Sequence, residues 1–320
     1  MTPFCRLCGG RGVFPCGLGR GFDALSVPEA WARAGVWGVV CCSLVWMCGD
    51  GAAVGGGVAG GGGVVSFGGG RAVVALCEWG EMVGRRAVEL GLRGACGGGL
   101  VDVVYVDPPF GTGGAGVGGA GRYEDGLRDL DGYAAWIGER LGATRGVLRE
   151  TGGVLVHVDW RASHRVRVVL DEVFGADRFV NHLVWRYGLG GSSARRFSRK
   201  HDDILWYCVD PSRYWFEAPM VPATSARMRG RLKKATDVLD VPALNNMARE
   251  RVGYPTQKPL ALLEMLIGAV CPPGGLVADP CGGSGTAGVA AVNLGRRCVV
   301  GDVSADAFGV MSARLSEACA

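Results

Sequence analysis

The chain lacks any lopsided charge: 34 Lys and Arg stand against 30 Asp and Glu in 320 residues, a formal net charge of +4. So mild a balance does not by itself demand a nucleic-acid partner, and it moves attention to local clusters. A long apolar run is missing too. Val36 to Met47 alone invites a membrane reading, and it falls well short of the ~20 residues a helical span needs. It is expected to be a buried strand, with no membrane association. No secretory signal with a basic start, an apolar middle and a small-residue cleavage site is recognisable. The thirteen cysteines are irregularly spaced in a chain this large, which argues against a disulfide scaffold and for a reducing cytoplasm. Cys5, Cys8 and Cys16 include one Cys-x-x-Cys without a second pair, so no metal site is expected.

What the chain has in excess is glycine, 57 residues, many of them within Gly51 to Gly70, a stretch without a charge. Such a tract has no packable face and is expected to be a linker or surface loop. Residues 1–70 accordingly read as a Gly/Cys-rich, partly flexible segment, and 71–320 as one large domain.

From Leu100 the texture changes. Leu100 to Val106 is a β-branched run that ends abruptly at Asp107-Pro108-Pro109-Phe110, as a buried parallel strand ends at a loop. Residues 123–150 predict a helix with Tyr133, Trp136, Ile137 and Leu141 near one face, leading through Gly152-Gly153 into a strand Val154 to Val158. A helix Val166 to Phe174 and strands Phe179 to Tyr187 and Asp203 to Val209 follow. Basic charge collects between Gly188 and Arg251: Arg195, Arg196, Arg199 and Lys200 surround Phe197, and Arg227, Arg229, Arg231, Lys233 and Lys234 form a second group that reads equally well as a solvated face. The last seventy residues predict helix Leu260 to Val270, strand Leu276 to Asp279, a Gly-rich turn, helix Thr286 to Leu294 and strand Cys298 to Asp302. The fold class is therefore α/β, a doubly wound Rossmann-like sheet interrupted by an inserted basic segment, 188–251.

Two motifs carry chemistry. Asp279-Pro280-Cys281-Gly282-Gly283-Ser284-Gly285-Thr286 follows a strand and opens a helix, the context in which a Gly-rich loop holds a nucleotide-like ligand. Asp302 ends the next strand, where a carboxylate can accept hydrogen bonds from ribose hydroxyls. Alone, this pattern implies an adenosine-containing cofactor or merely a tight turn. In Asp107-Pro108-Pro109-Phe110 two prolines fix the backbone and remove two donors, leaving an acceptor-rich site. The exocyclic amine of a base is a poor nucleophile because its lone pair is delocalised into the ring. A carboxylate and a prolyl carbonyl that accept its hydrogens restore amine character, and Phe110 can stack on the base.

Together these residues resemble the amino-methyltransferases of DNA, which pair an Asp/Asn/Ser-Pro-Pro-aromatic motif with an Asp-Pro-x-x-Gly-Ser-Gly-Thr-like cofactor loop. The catalytic motif comes first here, which resembles the circularly permuted β group with a target-recognition insertion between the motifs. Tyr254-Pro255-Thr256-Gln257-Lys258-Pro259 is similar to the segment that walls the methionine end of the cofactor in that group, so Lys258 is placed with the cofactor-binding residues. His157-Val158-Asp159-Trp160 and Phe197 to Tyr207 also resemble family segments, and Val45 to Asp50 resembles the strand ending in Gly-Asp that begins the permuted fold. Ala287 departs from the family's second threonine, and Cys281-Gly282 from its Phe-Cys or Phe-x pair.

The resemblance implies S-adenosylmethionine as cofactor, double-stranded DNA as partner and direct attack of a base nitrogen on the sulfonium methyl, with no covalent enzyme intermediate. The base must leave the stack, and Arg195, Arg196, Arg199 and Lys200 are the expected phosphate contacts. Asp in the first motif position favours adenine N6 over cytosine N4. A cognate restriction endonuclease, a monomer or homodimer and a cytoplasmic location are the further expectations. The competing readings are an RNA or protein amide methyltransferase and a catalytically impaired DNA-binding relic.

Overall fold

The computed structural model describes residues 63–94, 98–110, 115–118, 121–124, 130–188, 192–245 and 247–320. The cysteines Cys5, Cys8 and Cys16, the strand expected over Val36 to Met47, the Val45 to Asp50 segment and most of the glycine tract lie outside these residues. Where the tract ends, Val64–Phe67 forms β1, which pairs antiparallel with β2, Ala72–Leu76. A short helix α1 (Trp79–Val83) follows, then β3 (Val101–Val106), the hairpin β4 (Ala115–Gly118) and β5 (Gly121–Glu124), and helix α2 (Leu130–Arg145). Next come β6 (Leu148–Val158), α3 (Ser163–Phe174), β7 (Phe179–Arg186), β8 (His201–Cys208), β9 (Met220–Pro222), β10 (Leu232–Lys234) and β11 (Val238–Asp240). Helix α4 (Leu260–Val270), β12 (Leu276–Asp279), α5 (Thr286–Asn293), β13 (Arg297–Asp302) and α6 (Ala305–Ala318) complete the series.

Nine strands form one sheet in the order β1-β2-β13-β12-β3-β6-β8-β7-β11. The pairs from β2 through β13, β12 and β3 to β6 are parallel, and β8 runs antiparallel to both β6 and β7. Side chains alternate across each strand, and each face has its own core. Val103 and Tyr105 of β3 face α4, α5 and α6 together with Val74, Leu155, Val277 and Val300. Val104 and Val106 face α1, α2 and α3 together with Val154, Val156, Ala278 and Val299. Helices on both faces of a mostly parallel sheet are the doubly wound arrangement the sequence implies.

Three expectations need correction. The helix expected over 123–150 is shorter, Leu130–Arg145, because residues 121–124 are a hairpin strand and Leu148 already belongs to β6. Gly152-Gly153 does not break the chain before Val154 but lies inside β6. A Cβ on Gly153 would stand 2.7 Å from the Tyr207 carbonyl oxygen, so glycine is there for close strand approach. The strand beside β13 is Ala72–Leu76, which is followed by Cys77-Glu78. Within 188–251, β8 is a buried strand of the main sheet, and the basic residues lie on either side of it.

Candidate active site

Parallel strands β12 and β3 are hydrogen-bonded neighbours, with Val277 opposite Val103 and Ala278 opposite Val104. Their carboxyl ends therefore deliver Asp279 and Asp107 side by side, at the place where doubly wound sheets open a ligand crevice. A cavity of about 220 Å³ occupies that crevice, and its wall includes Asp107, Pro109, Lys258, Asp279, Pro280, Gly282, Gly283, Ser284, Thr286 and Asp302. The two motifs, remote in sequence, thus share one cavity.

The Gly-rich turn is held mainly by its own backbone. Gly282 N–H donates to the Gly301 carbonyl at 2.8 Å, and Gly285 N–H to the Gly282 carbonyl at 2.7 Å. Gly283 and Gly285 adopt φ of 50° and 75°, which favours glycine, and a Cβ on Gly283 would press on the Tyr254 ring at 3.1 Å. Gly285 caps α5 and packs on Met311 without reaching the cavity wall. Below the turn, Arg314 donates to the Ser284 carbonyl at 2.7 Å and to Thr286 Oγ1 at 3.0 Å. Ala287, a departure from the family pattern, also lines the cavity.

Asp302 accepts the Gly283 N–H at 2.9 Å on one oxygen and the Ser304 N–H at 2.9 Å on the other. This fixes its plane while lone pairs remain for a ligand hydroxyl. Burial pushes its carboxyl above the ordinary range, against the pull of those N–H donors. Asp279 accepts the Cys281 N–H at 3.0 Å, and burial raises its carboxyl far more, reinforced by the charges of Asp107 and Asp302. A cationic ligand in the cavity would relieve this crowding of negative charge.

Asp107 forms an ion pair with Lys258, whose ammonium meets Oδ2 and stands 5.6 Å from the centre of the Phe110 ring. Lys258 thus ties the Tyr254 to Pro259 segment to the end of β3, and both partners of the pair line the cavity. Pro108 is buried, and Phe110 lies against His157 with ring centres 6.4 Å apart and planes inclined by 27°. Arg195, Arg196 and Arg199 are exposed on the loop before β8, and Lys200 is half-buried. Arg199 stacks on Trp160 at 3.3 Å, and Phe197 is 97% exposed among these charges. None of the four basic residues lines the cavity.

Sequence reasoning missed Glu78 and Trp79, which line the cavity from the end of β2. Glu78 caps α1 by accepting the Gly80 N–H at 2.8 Å and also receives Arg140 Nε at 2.8 Å, while Trp79 donates to Thr144 at 2.9 Å. The signal was present: Ala72 to Leu76 is an apolar run followed closely by an acidic residue, as in β3, within the 71–320 domain, and no strand was assigned to it. Tyr105, one turn of the pleat before Asp107, is a second omission; it too reaches the cavity.

Residues 101–309 match the family described as DNA methylase. The Type II methyltransferase M.ScaI of Streptomyces caespitosus is 34% identical over 152 residues, covering 42% of this chain and 50% of that protein, so the chain spans half the length of this relative. The DNA adenine methyltransferase YhdJ of Escherichia coli is 26% identical over 218 residues, covering 62% and 70% of the two chains. Among solved structures, the complex of M1.HpyAVI with SAM superposes with a TM-score of 0.52 at 20% identity, over 76% of this chain and 98% of that one, a likeness of fold.

Proposed function

The chain belongs to the DNA methylase family, and from that premise we propose that it transfers the methyl group of S-adenosylmethionine to the N6 amino group of adenine in double-stranded DNA. One observation carries this reading: Asp107 and Pro109 of the acceptor-rich motif and the Gly-rich loop with Asp302 open into the same cavity from adjacent strands.

The residues fit the cofactor chemically. Asp302, its oxygens oriented by backbone donors, suits a ribose diol, and Trp79 offers an apolar wall for a purine. Asp279 and Asp107 supply negative charge where a sulfonium would lie. When bound, S-adenosylmethionine supplies an electrophilic methyl group. The chain's own residues do the rest. Asp107 Oδ2 is held by Lys258, leaving Oδ1 to accept one amino hydrogen, and the two prolines beside it add no backbone N–H donor to compete for that oxygen. Phe110, backed by His157, offers a face on which an extruded base can stack.

Adenine is favoured over cytosine by Asp107 at the head of the motif and by the relative YhdJ, a DNA adenine methyltransferase. The basic loop around Phe197 is the proposed DNA contact, and a restriction endonuclease reading the same sequence is the proposed companion, by likeness to M.ScaI, a Type II methyltransferase. No helix among the described residues is long and apolar enough to cross a membrane.

The test is mass spectrometry of nucleosides from DNA incubated with the protein and S-adenosylmethionine, beside an Asp107→Ala control. N6-methyladenine that disappears in the control is the expected result. N4-methylcytosine would move the target to cytosine, and no modified base despite calorimetric binding of S-adenosylmethionine would overturn DNA as substrate. Absence of that binding with DNA affinity retained would support the relic.

A further inference from the structure

Strand alternation brings three polar side chains onto the sheet face covered by α4. Tyr105 of β3, His157 of β6 and Asp202 of β8 each stand two residues from a neighbour in that core, Val103, Leu155 and Ile204 respectively. Tyr105 Oη lies 2.9 Å from His157 Nδ1, and His157 Nε2 lies 3.4 Å from Asp202 Oδ2. His157 is completely buried, set edge-on against Trp185 at 5.5 Å and backing Phe110. The line runs from the cavity wall, where Tyr105 sits beside Asp107, to Asp202 away from the cavity.

The chemistry of the line is directional. Burial pushes the Asp202 carboxyl up, but the His157 hydrogen bond and the charges of His157, Lys258 and His201 outweigh it and keep the group below the ordinary carboxylate range. Tyr187 also bonds Asp202. An anionic Asp202 accepts from Nε2–H, so Nδ1 is the unprotonated nitrogen and Tyr105 O–H donates to it. Tyr105 thereby turns only lone pairs toward the cavity. Its own ionisation is suppressed by burial and by Asp107, Asp279 and Asp202, so it can pass a proton on without standing as a phenolate.

Methyl transfer creates a need for such a path. As the bond from sulfur to the methyl carbon breaks and that from nitrogen to carbon forms, the amino nitrogen becomes cationic and must shed a proton. Placing that proton on Asp107 would disrupt its ion pair with Lys258. We infer that Tyr105 takes it: the nitrogen-bound proton moves to Tyr105 Oη, the phenolic proton moves to His157 Nδ1, and the resulting imidazolium is held by Asp202. The methylated base leaves neutral, and the one proton of the reaction resides on His157. Tyr105 touches the reacting amine, whereas His157 and Asp202 act through it. This inference rests on the base-methylation reading above.

The apoprotein gives the first test. The chain has four histidines, so long-range nitrogen-proton NMR on histidine-labelled protein resolves each ring. His157 is expected with its proton on Nε2 at neutral pH, and a proton on Nδ1 would overturn the relay. The second test is single-turnover methylation by Tyr105→Phe, His157→Gln and the double variant. Each single variant should slow transfer by about 100-fold with DNA affinity unchanged, and the double variant should be no slower than either. Rates for Tyr105→Phe within about threefold of wild type, or losses that multiply in the double variant, would refute the relay while leaving methylation intact. Failure of the wild-type protein to methylate any base would instead refute the underlying reading.

Discussion

Lys258 and Asp107 lie 151 residues apart in the chain, yet their side chains form an ion pair in the wall of the cavity, 13% and 16% exposed. The pair fixes which carboxylate oxygen stays available for a substrate. Lys258→Met should leave the carboxylate enclosed without its cation and cost roughly 2 kcal/mol of stability. Single-turnover methylation should fall by about 100-fold through misplacement of Oδ1. Denaturant melts and rapid-quench rates check both, and a variant as fast as wild type would show that the pairing is unimportant to the chemistry.

Asp279 predicts a stability change opposite to its functional effect. Its carboxyl is raised by burial, so its contribution to stability is present at low pH and lost as pH rises through the folded-state value. Asp279→Asn keeps an oxygen for the Cys281 N–H and has no charge to bury. The variant should melt about 3 °C above wild type near pH 8, with the gap closing on acidification. Its affinity for S-adenosylmethionine should drop. A gap that widens toward acid would contradict the assignment.

The basic loop predicts a salt effect. Alanine at Arg195, Arg196, Arg199 and Lys200 together should reduce the slope of log affinity against log salt by about 3 to 4, with little dependence on DNA sequence. Fluorescence anisotropy at several salt concentrations measures it. An unchanged slope would place the phosphate contacts elsewhere.

Phe197, exposed among those charges, has no packing to lose in the free protein. Phe197→Ala should leave the melting temperature unaltered and weaken DNA binding by about 1–2 kcal/mol, as expected for loss of one base-stacking ring. Equal binding by both proteins would reduce Phe197 to a bystander.

The parallel centre of the sheet was legible because strands buried on both faces read as continuous apolar runs, and three of them, at Asp107, Asp279 and Asp302, stop at a carboxylate. The same feature at β2 was lost because Glu78 follows a glycine-rich stretch, where composition suggests a loop. β8 was legible as a strand but not as part of the sheet proper. Two of its leading residues, Asp202 and Asp203, spend their carboxylates on hydrogen bonds to His157 and His182 on the neighbouring strands rather than on solvent. The Tyr105–His157–Asp202 line could not be read at all, since it depends on register across three strands rather than on spacing within one.

The neighbouring positions of β12 and β3 also bear on how such a protein can vary. The group that would donate the methyl and the group that would receive it hang from two strands about 4.8 Å apart, fastened by backbone hydrogen bonds that no side chain dictates. The separation of donor and acceptor is thus a property of the sheet, indifferent to which strand the chain reaches first. Termini can migrate around such a framework, and recognition loops can lengthen or be exchanged at its rim, while the distance the methyl must cross stays constant.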